Sequence, residues 1–119
     1  MAPRAPLAAV MGATAVGLGA FGAHGLKERF AADPSAAGWW ETATFYLLVH
    51  AVAVVAVGPA SLWPSRLWAA GAAIFAGTLY AMALGGPRWL GAVTPVGGTL
   101  LLAGWIAVAF SGRRSSPGS

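Results

Sequence analysis

Apolar residues run along this chain in four long blocks, over about 5–25, 40–58, 67–85 and 90–110. Each approaches the roughly 20 mostly apolar residues that a helix needs to cross a membrane. Charges and helix breakers fall between the blocks: Lys27 to Asp33-Pro34, then Pro59 to Arg66, then Gly86-Pro87-Arg88. The pattern predicts an all-α fold, a four-helix transmembrane bundle with antiparallel up-down topology. It forms one membrane domain over 1–111, followed by a polar tail, 112–119, expected to be disordered.

Local signals refine the boundaries. Asp33-Pro34 reads as an N-cap followed by proline at the first helical position. That places the start of the second helix near Pro34, ahead of its apolar block. Trp39 and Trp40 then fall at headgroup level, where amphipathic rings concentrate. Trp63, Trp68 and Trp89 lie near other span ends, whereas Trp105 sits inside the last span and fits that belt less well. Pro95 in the fourth block either kinks the helix and frees the Gly91 carbonyl, or follows a Thr94 cap and begins the span. The first block, with Arg4 ahead and small residues behind, also resembles a signal peptide. Its apolar run is longer than the roughly 7–15 residues of a signal h-region, which favours a retained span.

Composition agrees with a lipid-facing chain. Of 119 residues, 58% are hydrophobic and only 8% charged, against about 25% charged in soluble domains. So small a domain cannot bury that much apolar surface in its own core. Cysteine is absent, which removes disulfides, zinc–thiolate clusters and thiol catalysis. The formal charge is +4, but the positive residues are scattered, with no basic stripe for nucleic acid. In an up-down arrangement Arg4, Arg66, Arg113 and Arg114 share a side with both termini. Lys27, Arg29 and Arg88 share the other. This slight excess places both termini in the cytoplasm, in a multi-pass protein of a bacterial plasma membrane.

Small residues predict how the helices meet. Ala5, Ala8, Gly12, Ala15, Gly19 and Gly22 recur at alternating spacings of three and four, giving the first helix a narrow face for close approach. Ala69, Ala73, Gly77, Ala81 and Gly85, every fourth residue, suggest a similar face on the third, and both faces serve close packing inside one bundle or between copies. Gly17-Leu18-Gly19-Ala20-Phe21-Gly22 matches a dinucleotide-binding fingerprint, with Glu41 at about the right distance. That fingerprint needs a strand, a tight turn and a helix start. Here the glycines lie within a continuous apolar run, so helix packing explains them.

The polar residues form one candidate cluster. An up-down bundle rising about 1.5 Å per residue brings His24, Lys27, Glu41, Thr42, Tyr80, Arg88 and Thr94 near one membrane face. Tyr46 falls about 9 Å and His50 about 15 Å below the start of the second helix, the latter near the midplane. Thr42, Tyr46 and His50, spaced by four, make a polar line along that helix. It reads as a path for protons or polar solutes, or as interhelical hydrogen bonding that fixes register. A neutral His50 is expected, since burial disfavours the charged form. Glu41 is within reach of Lys27 or Arg88. Haem held by two histidines needs both at one depth, and His24 and His50 differ by more than about 10 Å. No third ligand for a metal lies at either level, and the carboxylates, Glu28, Asp33 and Glu41, are confined to one loop region. No cofactor and no catalytic constellation are expected.

Several segments carry a resemblance. They are Gly19-Ala20-Phe21-Gly22-Ala23-His24-Gly25-Leu26-Lys27, Glu41-Thr42-Ala43-Thr44-Phe45-Tyr46 with His50, Gly77-Thr78-Leu79-Tyr80, and Arg88-Trp89-Leu90-Gly91-Ala92-Val93-Thr94-Pro95-Val96-Gly97-Gly98, closed by Gly104-Trp105. In this order they resemble domain-of-unknown-function family 423, small integral membrane proteins that include transmembrane protein 256. Phe45 departs from the family pattern, where a polar residue is expected. The resemblance implies a four-helix membrane protein and carries no established activity, substrate or cofactor. The expected role is non-catalytic: structural, accessory or interacting, with membrane lipids and with itself or a larger complex as partners. The alternative is a small oligomeric transporter or channel using Thr42, Tyr46 and His50.

Overall fold

The computed structural model describes residues 6–58 and 61–114. Arg4, Ala5, Pro59 and the end of the expected tail, 115–119, lie outside them. Among the described residues all regular structure is helical: α1 Pro6–His24, α2 Lys27–Ala32, α3 Pro34–Val57, α4 Leu62–Ala83, a 3-10 turn Arg88–Ala92, and α5 Thr94–Arg114. Helix α3 starts at Pro34, where the Asp33-Pro34 signal places it, although the Asp33 side chain makes no capping hydrogen bond. The short α2 occupies what reads as a charged loop in the sequence. Helix α4 begins five residues ahead of the expected span. Pro64 falls in its first turn, where a missing N–H breaks no intrahelical bond. Arg66 therefore lies within the helix, its guanidinium 5.8 Å from the Trp63 ring centre. Helix α5 opens at Thr94 after the 3-10 turn, so Pro95 stands in its first turn rather than kinking a longer helix. It continues through Gly112 to Arg114, so the polar tail begins in helix.

Three helical segments are long and apolar enough to cross a membrane: Pro6–His24, Pro34–Val57 and Arg88–Phe110. Helix α4 has 22 residues, ample length, but is rich in alanine and glycine and contains Arg66. It packs extensively on both α3 and α5 and buries Trp68, Ala72 and Ala83 completely.

The helices pack in series, α1 on α3, α3 on α4 and α4 on α5. The contacts form ladders in which one residue number rises as the other falls. Gly22 meets Trp40, Gly19 meets Thr44 and Gly12 meets Ala51. Thr44 bonds Tyr80, Tyr46 packs on Phe75 and His50 on Trp68. Thr78 bonds Thr94, and Trp68 lies on Gly104. The extensive interfaces do not include one between α1 and α5, so the series stays open instead of closing into a ring.

Glycines set the closest approaches. A Cβ at Gly97 would collide with the Phe75 backbone, and one at Gly71 would lie 2.8 Å from the Gly97 carbonyl and the Leu101 nitrogen. Backbone-to-backbone contact of this kind is how helices associate where lipid removes the hydrophobic drive. The small face of α1 performs as its spacing suggests: Ala8, Ala15 and Gly22 are buried toward α3. The every-fourth stripe of α4 lies largely outside the packing within one chain. Ala73, Gly77 and Gly85 are exposed and Ala69 and Ala81 half-buried. Steps of four drift about 40° each around a helix, so the stripe winds off the packed side. Ala69, Ala73 and Gly77 instead border an apolar groove of about 250 Å³ between α4 and α1.

Candidate functional site

The interior polar groups gather in two levels, each paired mainly within itself. The deeper level centres on His50, buried to 4% exposure on α3. Its Nδ1 lies 2.7 Å from the Tyr46 carbonyl oxygen one turn earlier. A carbonyl only accepts, so Nδ1 carries the proton. Its Nε2 lies 3.0 Å from the Trp105 indole nitrogen. An indole N–H only donates, so Nε2 offers its lone pair. The two partners fix the neutral Nδ1–H tautomer and leave neither nitrogen free. Rings close the level: Trp68 and Trp105 have centres 4.6 Å apart, and Trp68 packs edge-on to His50 at 6.0 Å. The Trp68 side chain is fully buried against Gly104, and its indole nitrogen has no hydrogen-bond partner among the described residues.

The shallower level pairs hydroxyls. Thr44 and Tyr80 lie 2.7 Å apart, and Thr78 and Thr94 2.6 Å apart. Thr94 also donates to the Leu90 carbonyl at 3.1 Å, joining the 3-10 turn to α5. Trp40 fills the centre, its ring edge-on to Tyr80 at 4.5 Å. Its indole nitrogen donates to the Leu18 carbonyl of α1 at 2.8 Å. Gly22 makes room for that indole, because a Cβ there would overlap it. Arg29 of α2 donates through Nε to the Ala83 carbonyl, one of the orphan acceptors at the end of α4, where a cation also suits the helix dipole.

The structure thus divides the sequence-predicted cluster. Tyr80, Thr94 and His50 belong to these internal pairings. Arg88 sits over Trp39, 5.3 Å from its ring centre. Glu41 and Lys27 are exposed on the wall of one cavity. His24 is exposed at the end of α1, and Thr42 is exposed on α3. Tyr46 is 38% exposed, its ring against Phe75, and it serves the buried level through its backbone oxygen. The buried stripe of α3 is Ala36, Trp40, Ala43, Leu47, His50 and Val54. Thr42 and Tyr46 lie off that stripe. Trp40 ties α1 to α3, while Arg29 ties α2 to α4.

Five residues outside the predicted cluster prove central: Arg29, Trp40, Thr44, Thr78 and Trp105. Two had signals. Trp105 fails to fit an interfacial belt because its indole is engaged with His50. Thr44 belongs to the stripe spacing set by Trp40 and Leu47, four after the one and three before the other. Among the described residues, no three of His, Cys, Asp and Glu gather as a metal site would require.

Comparison with known proteins gives a consistent picture. Residues 18–98 match the family model described as protein of unknown function, DUF423. A UPF0382 membrane protein of Schizosaccharomyces pombe is 39% identical over 109 residues, covering 83% of this chain and 92% of that one. One from Haemophilus influenzae is 37% identical over 116 residues, covering 92% of each. The UPF0382 inner membrane protein YgdD of Escherichia coli is 39% identical over 106 residues, 82% of this chain and 79% of its own. No solved structure matches.

Proposed function

Because this chain belongs to the DUF423 family, whose relatives are named membrane proteins, we propose that it is a non-catalytic structural or accessory protein of the membrane. The observation that carries this reading is the mutual pairing of His50 and the interior hydroxyls, with the Trp68 indole N–H the one buried side-chain group left unpaired among the described residues. His50 is held between Tyr46 and Trp105, and Thr44 with Tyr80 and Thr78 with Thr94 satisfy one another. A conducting path needs groups free to exchange partners with a solute or water. The exposed positions of Thr42 and Tyr46 also leave the line along α3 discontinuous toward the interior.

On this reading α1, α3, α4 and α5 all cross the bilayer in up-down order, an antiparallel four-helix arrangement with both termini in the cytoplasm of a bacterial cell. The falling-against-rising contact ladders support the alternation. The Trp39–Arg88 and Trp63–Arg66 pairs at opposite ends of α3 and α4 support the two interfaces. The protein then acts through what it touches in the membrane: lipid, other copies of itself or a larger complex.

The test is flux. Proteoliposomes holding the purified chain should pass protons and small polar solutes no faster than protein-free vesicles. A flux above that background, lost on His50→Ala, would replace the structural reading with transport.

A further inference from the structure

A cavity of about 680 Å³ lies where α1 ends and α2 crosses toward α3. Such a volume falls within the roughly 300–1,000 Å³ of sites that hold small molecules. Its walls divide by chemistry. Gly19 and Gly22 of α1, Phe30 of α2, and Trp40 and Phe45 of α3 are apolar in what they present. The Trp40 indole N–H is already committed to the Leu18 carbonyl. Among the described residues Lys27 and Glu41, both exposed, supply the only charges on the wall, one of each sign. Trp39, next to Trp40 on α3, carries Arg88 over its ring, an aromatic–cation pair suited to the headgroup zone.

We propose that this cavity binds one zwitterionic phospholipid with a primary ammonium head, of the phosphatidylethanolamine type. The Lys27 ammonium takes the phosphate. The Glu41 carboxylate takes the lipid ammonium through its N–H donors, and an acyl chain lies along Phe45 and the glycines of α1. The charge pattern selects the head. A phosphatidylglycerol head has no cation for Glu41 and brings its phosphate toward that carboxylate. A phosphatidylcholine head has a cation but no N–H to donate. The inference rests on the membrane-spanning reading of α1 and α3, which sets this end at headgroup level.

Native mass spectrometry of the full-length chain in mild detergent tests it, with phosphatidylethanolamine, phosphatidylcholine and phosphatidylglycerol offered at equal concentration. One phosphatidylethanolamine per chain should be retained about fivefold over either competitor, the scale of one solvent-exposed ionic contact. Glu41→Gln should abolish the preference over phosphatidylcholine, and Lys27→Gln should weaken all three. Both side chains are exposed, so helical circular dichroism and tryptophan emission should match the parent chain. Equal retention of the three lipids overturns the proposal, as does a preference for phosphatidylglycerol or one that survives both substitutions. Alkaline carbonate washing separates the two levels of inference. A chain stripped from membranes ends the spanning reading, whereas an embedded chain without lipid preference ends the lipid site alone.

Discussion

His50 and His24 sit on helices that pack against each other, yet their surroundings differ in every respect that governs a histidine. His50 is 4% exposed, with a carbonyl on one nitrogen and an indole N–H on the other. His24 is exposed at the end of α1, beside Gly25 and the start of α2. Polar groups inside a lipid-bounded fold need partners in the protein; His50 finds two, and among the described residues the Trp68 indole N–H is buried without one. His24, open to its surroundings at the end of α1, specifies no neighbour among the described residues. The two regions also treat glycine differently. Gly104 admits a fully buried tryptophan, whereas Gly25 borders Phe21, which is 48% exposed and has room to swing away.

The glycines give the widest contrast. A methyl group at Gly104 would lie 2.5 Å from the Trp68 ring, which has no exposed side toward which to move. Gly104→Ala should therefore destabilise the protein by about 3 kcal/mol, the upper part of the overpacking range. Gly25→Ala meets the Phe21 ring at the same 2.5 Å but should cost under about 1 kcal/mol, because that side chain can change rotamer. Reversible unfolding in mixed micelles measures both. Equal losses would erase the distinction between the regions.

The histidines give a smaller contrast. His50→Leu removes the interhelical bond to Trp105, and such bonds in membrane proteins contribute about 0.6 kcal/mol on average and up to about 1.7. Losing the packing beside Trp68 brings the expected cost to about 1–2 kcal/mol. His24→Leu should stay within about 0.5 kcal/mol. The same unfolding assay reads both, and a costlier His24→Leu would mean that the exposed end has partners beyond the chain.

Much of the fold is legible in the sequence, for reasons that vary by element. The start of α3 is readable because Asp33-Pro34 is a local signal. The packed face of α1 is readable because spacings of three and four hold one side of a helix. The start of α4 is not, because Pro64 looks like a breaker until it is placed in a first turn. The stripe of α4 leaves the contact surface within the chain because a strict period of four spirals away from it. Within the polar cluster, depth is recoverable by counting residues, which brings Tyr80 and Thr94 to one level. Azimuth is harder. Thr42, Tyr46 and His50 share a spacing of four, but the contact stripe runs through Trp40, Ala43, Leu47 and His50. The His50 partner, Trp105, is 55 residues away, and only its poor fit to an interfacial belt hints at a task inside.

The claim that His50 closes a structural level is tested most directly by the proton on its ring. Nitrogen-15 NMR of the imidazole in lipid bilayers should show a neutral ring protonated at Nδ1. Its Nε2 resonance should shift when Trp105→Phe removes the indole donor, while the His24 resonances stay unchanged. A ring protonated at Nε2, or one indifferent to Trp105→Phe, would contradict the account and return His50 to a group free to exchange partners.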